Sequence, residues 1–190
     1  MNQAFVLGNG KSRLVLDLPT LQTKGPIYGC NALYRTFYPD CLVSTDPGIS
    51  RAIQESGYPK KHRHHTRRPV EGLGSRSLPK EFRGYSSGPN ALAQALLDGY
   101  HTVYLIGMDL GTTDGQFNNI YGDTEFYKRN TDPPTFAGNW VKQIRQLCER
   151  FPDQQVVRVM GVESAHVPTF NEIYNMRIRT MEHFRESLNI

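Results

Sequence analysis

The chain has 190 residues, 38% of them hydrophobic and 21% charged, with a formal net charge of +4. That length favours one domain with its own core, and no apolar run is long enough to span a bilayer. The opening residues, MNQAFVLGNG, lack a basic segment followed by a long apolar stretch, so no signal peptide is read there and a cytoplasmic location is expected.

Residues 4–7, AFVL, read as a buried strand stopped by a turn at Gly8-Asn9-Gly10. A short helix is expected within 14–21, and residues 26–29 read as a second strand ending near Cys30 and Asn31. Residues 41–45 read as a third strand, closed by Asp46-Pro47-Gly48, with a helix over 49–56. The segment 57–85 is glycine- and proline-rich and holds the basic run KKHRHHTRR at 60–68, so it is expected as a loop-rich insertion with at most one edge strand. That run is read as a solvated loop. Nucleic acid is disfavoured as its partner, because no aromatic residue interleaves the charges.

Residues 87–99 have the marks of a helix: Ser87 as cap, Pro89 in the first turn, Ala91, Leu92, Ala95 and Leu96 on one face, and Gly99 as stop. Residues 102–106 read as a buried strand ending at Gly107-Met108-Asp109. A polar, flexible loop over 111–135 follows, then an amphipathic helix over 137–151 with Trp140, Ile144, Leu147 and Phe151 inward. Residues 155–160 read as a fifth strand. The tail 168–189 reads as helical, with Phe170, Ile173, Tyr174 and Ile178 forming a stripe that can pack on its own sheet or on a second subunit. Alternating strands and helices define an α/β fold: one Rossmann-like domain, with a mostly parallel sheet covered by helices on both faces. Cys30, Cys41 and Cys148 lack CxxC spacing and read as small buried side chains in a reducing compartment.

In such a sheet, ligands bind beyond the carboxyl ends of the strands. Gly8-Asn9-Gly10, Gly29-Cys30-Asn31, Thr45-Asp46-Pro47 and Gly107-Met108-Asp109 all fall at expected strand ends, and Ser86-Ser87-Gly88 opens a helix whose free N–H groups suit an anion. The GNGKS segment is neither a P-loop, which needs four residues between its first glycine and Gly-Lys, nor a dinucleotide fingerprint, whose third glycine it lacks.

Three blocks resemble a known family. VLGNGKS at 6–12, YGCNALYR at 28–35 and SSGPNALAQALLDGYHTVYLIGMDL at 86–110 are similar, in order and spacing, to the bacterial sialyltransferases that use CMP-sialic acid, and to the related 6-hydroxymethylpterin pyrophosphokinase-like proteins. The blocks cover less than half of the chain. The resemblance implies a nucleotide or nucleotide-sugar ligand, such as a CMP-sugar, a glycan acceptor, and no metal cofactor. It implies that Asn9 and Gly10, behind Gly8, lie against the phosphate or sugar. It places Asn31 at the donor's phosphate-linked end, Ser87 and Gly88 at the base or ribose, and Asp109 at the pocket rim. Tyr121 or Tyr127 would steady the leaving phosphate.

The chain departs from the family at one point. The general-base histidine of those transferases falls just before the helix at 137–151, and here that stretch reads PTFAGNW. A group that takes the acceptor's proton is still needed. Asp132 and His166 are the candidates, ahead of His62, His64 and His65. Two other readings stay open: a non-catalytic nucleotide-binding protein of the same fold, and a Mg²⁺-dependent pyrophosphokinase-like transferase with metal ligands among Asp46, Asp109, Asp114 and Asp123.

Overall fold

The computed structural model describes residues 2–190. Its strands are β1 (Gln3–Leu7), β2 (Ile27–Cys30), β3 (Cys41–Ser44), β4 (His64–Thr66), β5 (Arg76–Ser77), β6 (Thr102–Ile106), β7 (Gln155–Met160) and β8 (Met176–Thr180). Its α-helices are α1 (Leu18–Gln22), α2 (Pro47–Glu55), α3 (Ser87–Leu97), α4 (Gly138–Arg150) and α5 (Met181–Leu188). The strands form one sheet in the order β5-β4-β3-β2-β1-β6-β7-β8, and every pairing is parallel. The fold is thus the expected α/β, Rossmann-like architecture.

Period-two alternation builds its two layers. Ala4 and Val6 of β1 face α3 and α4, together with Val103, Leu105, Ile144 and Leu147. Phe5 and Leu7 face the other way, toward α1, α2 and α5, with Leu21, Ile53 and Phe184. The inner strands are buried on both faces, which is why they read as continuous apolar runs. The chain steps outward from β1 to β5, returns through α3 to β6 beside β1, and then steps outward the other way. The order therefore reverses between β1 and β6, and a crevice opens beyond the strand ends at that point.

Three expectations need correction. A third of the basic run is not a solvated loop: His64, His65 and Thr66 form β4, and all three are buried. His64 bridges two hydroxyls, with Nε2 at 2.8 Å from Ser44 Oγ and Nδ1 at 2.7 Å from Ser75 Oγ. The segment 57–85 thus extends the sheet by two strands. Ser87 is the first residue of α3 rather than its cap, a position taken by Ser86.

The tail is not one helix either. A 3₁₀ turn over Pro168–Glu172 leads into β8, and only Met181–Leu188 is α-helical. Phe170 and Ile173 are buried, but Tyr174 and Ile178 are exposed, so the apparent stripe spans a turn and an edge strand. On β8, Arg177 and Arg179 are exposed as well. The helix α5 packs on its own sheet, with Phe184 against Phe5 and Tyr104. All three cysteines are free and buried, and among the described residues no helix is long and apolar enough to cross a membrane.

Candidate functional site

A cavity of about 400 Å³ lies at the carboxyl edge of the sheet, over the switch between β1 and β6. That is within the usual range for a small-molecule site. Every strand-end motif singled out above contributes to its wall: Gly8, Asn9, Gly10, Asn31, Thr45, Asp46, Ser87, Gly88 and Asp109. Because all the strands are parallel, their ends share one edge, and motifs scattered over a hundred residues converge.

The floor is built by close backbone approach. Gly8 N–H donates to Ile106 O (2.8 Å) and Gly10 N–H to Gly107 O (2.9 Å). A Cβ on Gly8 would strike the Gly107 carbonyl, and one on Gly10 the Asp109 carboxylate. Gly10→Ala should therefore cost about 2 kcal/mol in overpacking, read as a lower urea midpoint with an unchanged slope.

Asn9 and Asp109 line the cavity, but their polar atoms are committed to the frame. Asn9 Nδ2 donates to Cys30 O (3.1 Å), and its Oδ1 accepts from Arg13 (3.3 Å). Arg13, itself buried, also donates to Gly8 O (2.9 Å) and reaches Tyr121 Oη (3.4 Å). Asp109 accepts from Ser12 N–H (3.1 Å), Asn118 Nδ2 (3.1 Å) and Ser164 Oγ (2.8 Å), joining three segments. Beneath it, Arg158 is 1% exposed and donates to the carbonyls of Met108 (3.2 Å) and Asp109 (3.1 Å), its guanidinium over the Phe170 ring. Burial pushes the Arg158 pKa down to about 10, against the pull of the Asp109 charge, so the side chain stays cationic at neutral pH. Sequence reasoning missed Arg158. The available signal was an arginine in the middle of an otherwise apolar strand.

Asn31 is different. It sits in the left-handed region (φ 53°), which asparagine tolerates better than most residues. Its Oδ1 lies 2.9 Å from Ser87 Oγ, and that hydroxyl also accepts Thr45 N–H (3.0 Å) and meets Thr45 Oγ1 (2.9 Å). Ser87 has one proton, given to Asn31 Oδ1, and both remaining acceptor sites are taken by Thr45. The Asn31 amide is thereby oriented, and among the described residues its Nδ2 has no partner. Asn119 repeats the pattern: its Oδ1 accepts Tyr121 N–H (2.9 Å), and its Nδ2, in the cavity wall, has no partner among the described residues.

The first turn of α3 adds further donors. Its first i→i−4 bond runs from Asn90 N–H to Ser86 O (3.0 Å), Pro89 has no N–H, and no side chain caps the helix. The N–H groups of Ser87 and Gly88 therefore lie open beside Asn31. Lys128 and Arg67 are the cations of the wall, while Met108, Phe117, Phe126 and Trp140 supply its apolar part.

The loop 111–135 closes over the cavity and is tied down at several points. Ile120 N–H donates to Asn9 O (2.8 Å), Ala32 N–H to Tyr127 Oη (3.2 Å), and Arg35 to Thr124 Oγ1 (3.0 Å). Tyr127 lines the cavity, and burial pushes its pKa up, so at neutral pH it is a phenol with a proton to donate. Tyr121 does not line the cavity. Its hydroxyl is held by Thr36 Oγ1 (2.8 Å) and Arg13, where it braces the loop.

The two general-base candidates lie outside the cavity wall. The Asp132 carboxylate accepts from Arg129 N–H (2.9 Å) and Nε (3.2 Å), closing its own turn, and His166 is exposed. The four aspartates suggested as metal ligands do not converge. Asp114 closes a turn with Thr112, and Asp123 accepts from Asn130 N–H (3.0 Å). Among the described residues, no three His, Cys, Asp or Glu side chains form a metal-holding group. No protein-family model, no curated protein and no solved structure matches this chain.

Proposed function

We propose that the cavity binds a nucleotide-sugar through its phosphate, and that the protein is an inverting, metal-independent glycosyltransferase of the sialyltransferase-like kind. The observation that carries this reading is the oriented amide of Asn31 beside the open first turn of α3. Around Asn31 the free groups are N–H donors, which selects a ligand rich in acceptors at that point, and the positive end of the helix dipole favours an anion. Asn119 Nδ2, the Tyr127 phenol and Lys128 add donors around the same space. A departing phosphate could be stabilised by these groups without a metal. The apolar side of the wall, with Phe117, Met108 and Trp140, suits the flat face of a base.

A thermal-shift screen with CMP, UMP, UDP, GDP and their sugar conjugates, each with and without Mg²⁺, tests the reading. Ligand at a hundred times Kd stabilises by about 2.7 kcal/mol, worth a rise in Tm of about 5–10 °C for a chain of this size. No rise with any nucleotide would refute nucleotide binding. A rise or turnover seen only with Mg²⁺ would refute the metal-independent part and favour the pyrophosphokinase-like alternative.

A further inference from the structure

We infer that Asp46 is the general base that takes the proton of the acceptor hydroxyl. The inference rests on the nucleotide-sugar reading of the cavity. A base must line the cavity and keep a lone pair that the fold has not already used. No histidine meets the first condition. Asp109 fails the second, because its carboxylate already accepts three hydrogen bonds. Cys30 lines the wall, but its buried thiol is pushed up to about 12 and stays protonated. Asp46 is the remaining carboxylate of the wall.

Its conformation gives a second, independent indication. Asp46 is the N-cap residue of α2, in extended geometry (φ −76°, ψ 134°), yet its side chain makes no capping bond. An aspartate in that position ordinarily accepts an N–H of the first turn, worth about 1 kcal/mol. Here that contact is forgone, and among the described residues the carboxylate has neither a hydrogen-bond nor an ion-pair partner. Asp46 follows Thr45, whose N–H and hydroxyl hold Ser87, which in turn orients Asn31. The carboxylate is thus one residue from the node that would bind the donor's phosphate. Phe126 lies over Gly48 in the same helix start and lines the cavity, while Asp46 itself is exposed, so an acceptor can reach its carboxylate from solvent.

In the step, the acceptor O–H bond breaks toward Asp46 as its oxygen bonds to the anomeric carbon. The bond from that carbon to the phosphate oxygen breaks, and its electron pair leaves with the nucleotide. The leaving charge meets Asn31, Asn119 and the first turn of α3, and Asp46 then releases the proton to solvent.

The test measures nucleotide release from CMP-N-acetylneuraminate, UDP-glucose and GDP-mannose, with lactose or water as acceptor. Asp46→Asn should lower kcat by about 100-fold or more, with KM and the Tm shift given by the free nucleotide both unchanged. Asp46→Ser, which can cap α2, should behave the same and serves if the first variant folds poorly. Turnover within about threefold of wild type in a folded Asp46 variant would overturn the inference. So would a parallel loss of nucleotide binding, which would make Asp46 a ribose ligand, or wild-type protein that releases nucleotide from none of the three donors. Absence of any nucleotide shift in the wild type would instead sink the underlying reading of the cavity, so the two failures are distinct.

Discussion

Asn31→Asp is expected to abolish the nucleotide-induced rise in Tm while leaving the unliganded protein about as stable as before. Aspartate tolerates the left-handed backbone at this position, and one carboxylate oxygen can still accept from Ser87 Oγ. The change is confined to the other atom: a free N–H₂ donor becomes an anionic acceptor. Losing a hydrogen bond to a charged group costs about 1.5–3 kcal/mol, and repulsion between carboxylate and phosphate adds to it. Affinity should fall about 100-fold or more, measured by calorimetry. Asn31→Gly keeps the backbone and removes the amide, and should give an intermediate loss. Equal nucleotide shifts in wild type and Asn31→Asp would remove Asn31 from the site.

The second large effect concerns acid. His64 and His65 lie side by side on β4, His64 fully buried. Burial is the main cause that pushes each pKa from 6.5 down to about 4. The neighbouring His65 adds to the shift of His64, and the Arg63 charge to that of His65. The folded chain takes up these protons only near pH 4, and the unfolded chain near 6.5. Between those values the unfolded state binds more protons, so stability present above pH 6.5 drains away as the pH falls. At about 1.4 kcal/mol per unit for each ring, the pair should withdraw on the order of 4 kcal/mol between pH 7 and pH 5. That corresponds to about 10 °C in Tm. Imidazole NMR is the direct check. The chain has six histidines, and two should remain neutral at pH 5. If all six titrate near 6.5, the buried-strand account of β4 is wrong.

Those histidines also mark where the sequence stops being readable. β1, β6 and β7 are legible because strands covered on both faces are mostly apolar, and AFVL, TVYLI and, Arg158 apart, QVVRVM have that character. β4 is hidden because HHT within KKHRHHTRR looks charged. Only tertiary burial, with Ser44 and Ser75 as partners, makes the His64 imidazole a neutral interior group. β8 is hidden because an edge strand can carry arginines, and because Phe170, Ile173 and Ile178 imitate helical spacing across a turn.

The site divides in the same way. Its strand-end residues were legible, since a parallel sheet sends every strand end to one edge. Side-chain roles were not, because Asn9 and Asp109 look like ligand groups until their bonds to the frame are seen. Loop residues were the least legible. Nothing in the spacing of 111–135 shows that Asp132 closes a turn with Arg129, or that Tyr127, rather than Tyr121, faces the cavity.

The outer borders of the sheet have a consequence for how the chain behaves in a crowded solution. An open strand border invites a neighbouring molecule to add its own strand. On one side the terminal strand, β5, is only two residues long and offers almost no ladder to extend. On the other, a second copy laid along β8 would set Arg177 and Arg179 against the same two cations of its twin. Repulsion along that seam discourages self-templating, so replacing both arginines by valine should make the chain gel or fibrillise on concentration more readily than the unaltered sequence.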